Sequence, residues 1–386
     1  MSNARLLVIA LSELARDPRV DRQLRALADG YGLIAAGLGP PDVHGVDYID
    51  LNVHTSRAAA LANQTAGATR MLARRYERAY WGNHLLGEAR RRLSDVRPDA
   101  VIANDVPALP LALAIAGQAP VLLDAHEYAP LWFEDRRLWR AVMQPYMTAL
   151  TRRYVPRVAA MTTVAPALVE AYRELTGVEA AVVTNAPDYH ELHPRPPDGQ
   201  IRLLHHGIAN PSRSLERTIE LMEHLDDRFT LDLVLVEHEP RHLRHLRRLA
   251  APDPRIRFLD PVPMRDIVGF ANGYDVGVFL LPPRNFNYAN ALPNKLFEFI
   301  QARLAVAVGP SGEMARVVKE WGCGVVAPDF EAASLASRLQ ALDAAALTRL
   351  KHGSHAAASF LNARSNARLL RQVVGEMVGH PAATAS

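Results

Sequence analysis

The sequence predicts an α/β protein made of two doubly wound, Rossmann-like domains in tandem. The chain has 386 residues, which exceeds the length of about 250–300 residues at which a single core stops growing. Short apolar runs alternate with longer helical patterns in both halves, as is typical of parallel sheets covered by helices on both faces. A proline-rich stretch without periodicity, residues 186–200, separates the two halves.

In the first half, seven apolar runs predict strands and the segments between them predict helices. The predicted strands cover residues 5–11, 32–38, 46–51, 99–104, 120–125, 158–164 and 180–185. The predicted helices cover residues 18–29, 56–96, 135–155 and 166–176. We therefore place an N-terminal domain at residues 1–187 and a linker at 188–200.

The alternation restarts after the linker and predicts a second domain at residues 201–360. Its predicted strands cover residues 201–207, 229–236, 256–260, 275–281, 304–309 and 324–328. The alanine-rich region from residue 331 is predicted to be helical. We assign residues 361–386 to a C-terminal helix and tail and expect the C-terminal helices to pack back towards the first domain.

Composition narrows the class of protein. A formal net charge of +3 is too weak to indicate a nucleic-acid partner, and no segment resembles a module that reads a groove or stacks bases. Cys323 is the only cysteine, so an intrachain disulfide is excluded and a reducing compartment is expected. The most apolar window, residues 107–127, is broken by prolines and predicts a buried helix and strand. We expect a cytoplasmic protein.

Arginine is interleaved with tyrosine and tryptophan in two predicted helical segments, residues 71–93 and 131–158. Basic aromatic helices can lie on an anionic membrane surface, which leaves peripheral contact with the inner membrane face open. The alternative, which we favour, is a solvated face with an aromatic core stripe.

The segment NALPNKLFEFIQARLAVAVG, residues 290–309, predicts a helix that begins at Pro293 after a strand end. Free amides in its first turn, with Lys295 nearby, would bind a phosphate, and Glu298 on the same face could hold sugar hydroxyls. The alternative is an exposed ion pair three residues apart, worth about 0.3 kcal/mol. Spacing alone does not separate the two interpretations.

Two further strand ends carry polar groups where ligands of parallel sheets bind. In residues 203–222, Gly207 closes a strand, Ser212 is a predicted helix cap, and Arg213 stands at the helix entrance. The alternative for Arg213 is an ordinary surface arginine. In residues 122–130, a buried strand ends in three ionisable residues, Asp124, His126 and Glu127, which predict a site. A structural role for the histidine is the alternative.

Several other classes of site are excluded or disfavoured. The segment after the first strand, residues 11–27, lacks the G-x-G-x-x-G fingerprint of dinucleotide enzymes, and the chain contains no P-loop. Arg16 and Arg19 in that segment could face a cleft or could be surface charges. Three histidines at near-helical spacing, in residues 238–245, are interrupted by Pro240 and lie among arginines that would repel a metal ion. We predict no metal site and no cofactor.

Taken in order, the motifs resemble the glycosyltransferase group 1, or family 4, enzymes. The motifs are DPRV, DAHE, TTVAPALVEAY, VVTNAPDY, HHGIANPSRSLE, ALPNKLFEF, GPSGEMARVV and GCGVV, spread over roughly residues 5–330. The resemblance implies a GT-B fold, in which two Rossmann-like domains face a cleft. It also implies a retaining, metal-independent transferase that uses a nucleotide-sugar donor.

The resemblance also assigns roles to residues. Glu298 matches the second of two glutamates eight residues apart, which holds the nucleotide ribose, whereas Asn290 replaces the first. Arg213 and Lys295 would grip the diphosphate, and His126 would contact the transferring sugar. The remaining donor-site candidates are Gly207, Val262, Ala291, Leu292 and Asn294, and the acceptor-side candidates are Arg16, Asp17, Asp105 and Glu127.

The expected function is transfer of a hexose-type sugar from a nucleoside-diphosphate sugar, such as a UDP-sugar, to an acceptor hydroxyl. Polysaccharide, glycolipid and secondary-metabolite biosynthesis all stay open as pathways. A non-catalytic nucleotide-sugar or partner-binding protein on the same fold is the alternative, and Asn290 is its main support because an amide carries no charge.

Overall fold

The first sheet has seven parallel strands in the order β3-β2-β1-β4-β5-β6-β7. The computed structural model describes residues 4–54 and 56–379. The strands are β1 (Arg5–Ile9), β2 (Gly32–Gly37), β3 (Val46–Asp50), β4 (Ala100–Asn104), β5 (Val121–Ala125), β6 (Ala160–Thr163) and β7 (Ala181–Val182). Every one of these strands falls within a run predicted from the sequence.

In residues 4–54 and 56–184, seven α-helices connect these strands. They are α1 (Pro18–Leu27), α2 (Arg57–Leu72), α3 (Tyr76–Trp81), α4 (His84–Arg92), α5 (Leu109–Ala116), α6 (Arg137–Tyr154) and α7 (Pro166–Thr176). The single helical stretch predicted over residues 56–96 is wrong, since it contains three helices. Arg74, at φ +53°, breaks the first of them, and the side chain of Asn83 caps the third.

The second sheet has six parallel strands in the order β10-β9-β8-β11-β12-β13. The strands are β8 (Ile201–Ile208), β9 (Phe229–Val236), β10 (Ile256–Leu259), β11 (Val276–Phe279), β12 (Ala305–Val308) and β13 (Gly324–Val326). The helices are α8 (Glu216–Glu220), α9 (Pro240–Ala250), α10 (Ile267–Ala271), α11 (Phe286–Ala289), α12 (Asn294–Gln301), α13 (Gly312–Glu320), α14 (Ala332–Gln340), α15 (Ala344–Ala358) and α16 (Ala363–Met377).

The chain divides into two compact units. The first runs to Thr184 and also takes Asn285–Asn287 and the segment from Asn366 onward; the second comprises Asn185–Arg284 and Tyr288–Ser365. The proline-rich stretch predicted as a linker, 188–200, forms no helix or strand and belongs to the second unit. The predicted tail beyond residue 379 lies outside the described residues.

The last helix, α16, completes the core of the first unit. Its Leu370 and Val374 are buried in the same cluster as Leu6 and Val8 of β1. The expected return of the C-terminal chain to the first domain is therefore confirmed for α16. Helices α14 and α15 instead pack in the core of the second unit.

Each sheet has a point at which the strand order reverses. It lies between β1 and β4 in the first sheet and between β8 and β11 in the second. In doubly wound sheets, ligands bind at the carboxyl ends of the strands beside such a point. No helix in the described part of the chain is long and apolar enough to cross a membrane.

Candidate functional site: two polar groups at the carboxyl ends of the sheets

Lys295 and Glu298 lie on α12, which begins at Asn294. Pro293 is the residue before the helix, with an extended backbone, so the prediction that the helix begins at Pro293 is wrong by one residue. Lys295 is 5% exposed and Glu298 is 8% exposed. This burial excludes the alternative of a solvent-exposed ion pair.

Lys295 reaches the point where the strand order of the second sheet reverses. Its Nζ lies 2.9 Å from Nε2 of His205 on β8 and 4.1 Å from the ring centre of Phe279 on β11. A lysine over an aromatic face is held by the negative face of the ring. The lysine is therefore fixed where a ligand of this sheet would bind.

Gly207 lets a second cation approach Lys295. A Cβ atom on Gly207 would lie 3.4 Å from Nη1 of Arg213 and 3.5 Å from Nζ of Lys295, and its φ of +123° favours glycine. Arg213 ends the short 3-10 turn Pro211–Arg213, which is capped by Asn210. The predicted cap at Ser212 is wrong, because the Asn210 side chain accepts the hydrogen bond from the Ser212 amide.

In residues 4–54 and 56–379, no carboxylate forms an ion pair with Arg213 or Lys295. Burial lowers the pKa of Lys295 well below its ordinary value, and Arg213 lowers it further, although Glu298 acts in the opposite direction. Burial also lowers the pKa of Arg213. A bound anion would offset the burial and mutual repulsion of the two positive charges, so the pair is suited to hold phosphate.

Glu298 faces His206 rather than solvent. The Nε2 atom of His206 lies 3.6 Å from Oε2 of Glu298, and the ring packs edge-on against Phe299. Burial, followed by repulsion from Lys295 and Arg213, lowers the pKa of His206 to about 3, so the ring is neutral at pH 7. The Nε2 atom is buried and has no hydrogen-bond partner.

The remaining donor-site candidates are divided between two places. Asn290, Ala291 and Leu292 precede α12, and the side-chain oxygen of Asn290 lies 3.5 Å from where a Cβ on Gly312 would stand, at the start of α13. Asn294 begins α12 itself. Val262 follows β10, the edge strand that lies two positions from β8, and is half-buried.

In the first unit, Asp124 near the end of β5 collects three hydrogen bonds. Its carboxylate accepts from Nε2 of Gln23 at 2.7 Å and from Oγ1 of Thr162 at 2.7 Å, and lies 3.1 Å from Nε2 of His126. The Oε1 atom of Gln23 in turn accepts from Nδ2 of Asn104, at the end of β4. A buried carboxylate with this many donors stays ionised.

His126 is buried and oriented by Asp124. Burial opposes the charged ring, but the carboxylate outweighs it and raises the pKa of His126. The Nδ1 atom is buried and has no hydrogen-bond partner. The backbone N–H of His126 donates to Oδ1 of Asp105 at 2.9 Å, and Asp105 has a φ of +63°, a strained conformation that is typical of functional sites.

The acceptor-side candidates separate into a connected group and two exposed residues. Asp17 caps α1 and holds Arg19 through hydrogen bonds of 2.9 and 3.0 Å, which outweigh burial and lower the pKa of Asp17 to about 2. Arg19 Nη1 also lies 3.7 Å from Asp105. Arg16 and Glu127 are exposed, and Arg16 pairs with Glu13 at 3.2 Å.

Sequence reasoning missed the polar residues that hold these groups in place. Gln23, Asn104, Thr162 and His205 were not singled out, although all four are buried. The available signal was a polar side chain inside an apolar strand or on the apolar face of a helix. In the described part of the chain, no group of three or more His, Cys, Asp or Glu residues could hold a metal ion.

Comparisons with known proteins bear on the fold. The chain is similar to HepE from Anabaena in complex with UDP, at 13% identity over 97% of this chain and 100% of that one, with a TM-score of 0.71. The chain has the GT-B fold. Sucrose-phosphate synthase from Thermosynechococcus elongatus is similar at 14% identity over 97% and 99% of the two chains, with a TM-score of 0.71.

An α,α-trehalose-phosphate synthase (UDP-forming) from Burkholderia vietnamiensis is similar at 12% identity over 98% and 100% of the two chains, with a TM-score of 0.69. The resemblance to GT-B glycosyltransferases that the motifs indicate is therefore confirmed in the fold. No family model matches the chain, and no curated protein matches it in sequence. Assignment to family 4 stays a prediction.

Proposed function

We propose that the protein is a glycosyltransferase that uses a nucleoside-diphosphate sugar as its donor. The observation that carries the proposal is that two cations, the buried Lys295 and the half-buried Arg213, converge over Gly207, and that no carboxylate in residues 4–54 and 56–379 forms an ion pair with either. A diphosphate supplies the negative charge that this pair lacks. The UDP complexes and the UDP-forming enzyme among the similar structures support this choice.

The geometry of the second unit suits departure of a nucleoside diphosphate. Negative charge develops on the leaving oxygen as the bond to the sugar breaks, and preorganised cations stabilise this charge more strongly in a buried site than in water. Arg213, Lys295 and the amides at the start of α12 supply that stabilisation. Glu298 would bind the ribose hydroxyls, and Asn290 would hydrogen-bond the donor sugar.

His126 would act at the sugar in the first unit. Asp124 holds its ring through Nε2, which leaves the unpartnered Nδ1 for a sugar hydroxyl. An oxocarbenium-like sugar forms there, and the acceptor hydroxyl attacks from the face that the diphosphate leaves, so that configuration is retained. The leaving phosphate takes the proton of the acceptor. The proposal requires no metal ion, because the two cations stabilise the diphosphate.

A donor screen followed by a transfer assay tests this function. We expect one nucleoside diphosphate to stabilise the protein by about 2.7 kcal/mol at a hundred times its dissociation constant, measured as a shift in melting temperature. The corresponding sugar donor should then yield a retained anomer with candidate acceptors, with undiminished rate in EDTA. An inverted product would refute the retaining mechanism.

The alternative, a binding protein without activity, follows from the amide at position 290. It predicts calorimetric binding of a nucleotide sugar with neither transfer nor slow hydrolysis of the donor. In that case Asn290→Glu would not restore transfer, because an inactive binding protein would lack further groups that catalysis needs.

We also propose that the first unit contacts an anionic membrane surface, where glycolipid acceptors would be found. None of the 16 residues of α2 is buried, and Leu61, Leu72 and Leu138 are 65%, 68% and 78% exposed. Arginines lie close to Leu72 in the sequence, at positions 70, 74, 75 and 78. Apolar side chains flanked by cations favour a lipid interface.

Sedimentation with lipid vesicles tests this contact. Vesicles that contain phosphatidylserine should bind the protein, and binding should decrease in the double variant Leu61→Asp/Leu72→Asp and at high salt. Leu249→Asp, an exposed leucine on α9 of the second unit, serves as the matched control. Equal binding by all three proteins, or none by the unaltered protein, would contradict the proposal.

A further inference from the structure

We propose that His205 is a positioning residue that directs Lys295 towards the diphosphate. The inference rests on the proposed function, because it concerns how that site holds its ligand. His205 lies on β8, two residues before Gly207, and its side chain is 1% exposed.

Two hydrogen bonds fix which ring nitrogen of His205 carries the proton. The Nδ1 atom lies 2.9 Å from the carbonyl oxygen of Val278 on β11. A carbonyl oxygen can only accept, so Nδ1 carries the hydrogen and donates it. In a neutral imidazole Nε2 then holds a lone pair, and Lys295 Nζ, 2.9 Å away, donates to it.

The surroundings of His205 keep the ring neutral. Burial, Lys295, His206 and Arg213 all lower the pKa of His205, and only the hydrogen bond to Val278 acts in the opposite direction. The ring also packs 5.8 Å from the ring of Phe279. His205 is therefore a fixed acceptor, and it does not compete with Lys295 for charge or for an incoming anion.

This acceptor restricts a side chain that is otherwise flexible. A lysine has four rotatable bonds, and fixing them costs conformational free energy that reduces affinity when ligand binding must do it. One N–H of Lys295 is directed at His205, and the other hydrogens on Nζ can donate to a ligand beside Gly207. The Nζ atom lies 3.5 Å from the position that a Cβ atom on Gly207 would take. The lysine is thereby ordered before the diphosphate arrives.

Two substitutions of His205 test the roles of its two ring nitrogens separately. His205→Asn keeps a donor in the position of Nδ1 but has no acceptor at Nε2, whereas His205→Gln places a side-chain oxygen near the position of Nε2. We expect the dissociation constant for UDP to rise about ten-fold in His205→Asn and to recover largely in His205→Gln. Calorimetry with UDP measures it, and UMP, which lacks the second phosphate, is the control ligand.

A double-mutant cycle with Lys295→Met shows whether His205 acts through the lysine. We expect His205→Asn to have no further effect on UDP affinity once Lys295 is methionine, so the two changes should not be additive. Additive losses, or an equal loss in the Asn and Gln variants, would overturn the positioning role and leave His205 as a packing residue.

A second measurement needs neither UDP binding nor a variant that folds well. Long-range proton–nitrogen NMR spectra of the histidine side chains in the unaltered protein report the tautomer of His205. We expect a hydrogen on Nδ1 from pH 6 to 8; a hydrogen on Nε2, or a charged ring, would overturn the inference. Failure of every nucleoside diphosphate in the donor screen to bind the unaltered protein would instead count against the proposed function.

Discussion

The polar groups of the two units lie at the carboxyl ends of the strands in both sheets, but their charges are paired, among the described residues, only in the first unit. In the first unit, Arg19 pairs with Asp17, and His126 lies against Asp124. In the second unit, Lys295 and Arg213 converge, and no carboxylate in the described part of the chain forms an ion pair with either.

Because the described charges are paired in one unit and not in the other, we expect the two units to contribute differently to binding and turnover. The charged groups of the first unit pair with each other, so they are oriented without a ligand. The group in the second unit carries positive charge that is at least half-buried, which we expect to cost stability without a ligand and which a bound anion would offset. We therefore expect substitutions in the second unit to lose affinity and gain stability, and substitutions in the first unit to lose turnover or stability.

Lys295→Met is expected to have the largest effect. Transfer and UDP affinity should fall by about 100- to 1,000-fold, because one of the two cations that we propose to stabilise the leaving group is lost. The free energy of unfolding without ligand should rise by about 1–3 kcal/mol, because an apolar side chain replaces a buried cation that forms no ion pair among the described residues. Calorimetry and urea unfolding measure the two effects; a loss of both affinity and stability would contradict this account.

The same variant tests the pKa of Lys295. Its folded pKa is well below the ordinary 10.5, so the unfolded chain binds more protons between those two values. The stability of the unaltered protein should rise with pH across that window, and this slope should be smaller in Lys295→Met. Urea midpoints at intervals between pH 7 and 10 measure the slope in both proteins.

His126→Asn is the counterpart in the first unit. We expect turnover to fall by about 100-fold, since this change removes the buried ring that we propose to contact the transferring sugar. The affinity for UDP should stay within two-fold, because the proposed diphosphate site lies in the other unit. A large loss of UDP affinity would contradict the inference that the second unit alone binds the diphosphate.

Asp124→Asn should lower stability by about 2 kcal/mol, since Gln23, Thr162 and His126 lose an ionised acceptor. The raised pKa of His126 contributes stability below pH 6.5, and this contribution is lost as the pH rises through the folded value. The lowered pKa of Asp124 contributes above pH 3.8 and is lost as the pH falls. Unfolding at pH 5 and pH 9 should therefore differ less in Asp124→Asn than in the unaltered protein.

Asn290→Ala is expected to have a smaller and more selective effect. The dissociation constant for the sugar donor should rise about ten-fold, since the proposed hydrogen bond to the sugar is lost, while that for UDP should not change. Competition experiments with the two ligands measure this ratio. Equal losses for both ligands would place Asn290 at the nucleotide instead.

Arg16→Ala should have the smallest effect. Its side chain is 83% exposed and pairs only with Glu13 among the described residues, so activity and stability should stay within experimental error. A clear loss of transfer would show that Arg16 contacts the acceptor and would restore it to the site.

The fold could be predicted from the sequence because both units repeat the same local pattern. Continuous apolar strands, proline at helix starts and one linker-like stretch were sufficient for all thirteen strands. The sequence did not predict that residues 56–96 form three helices. The break at Arg74 depends on a positive φ, which an arginine in the sequence does not indicate.

The candidate site was only partly predictable. Lys295, Glu298, Arg213 and His126 could be proposed because charged residues follow apolar strands. Their partners are distant in sequence, as His205 is 90 residues from Lys295, and only the order of strands in the sheet brings them together. For the same reason, the sequence could not show which charges would lack a partner.

The place of α16 in the first core has a consequence for the order of events during synthesis. Asn366, on that helix, donates to the carbonyl of Thr184 across 182 residues of sequence. At roughly 5–20 residues per second, the ribosome makes that intervening stretch in on the order of 10–40 s. Throughout this interval the apolar surface that Leu370 and Val374 later cover stays open on the first unit. The unit that is translated second can thus complete its core first, and the nascent first unit is the one that needs protection from aggregation.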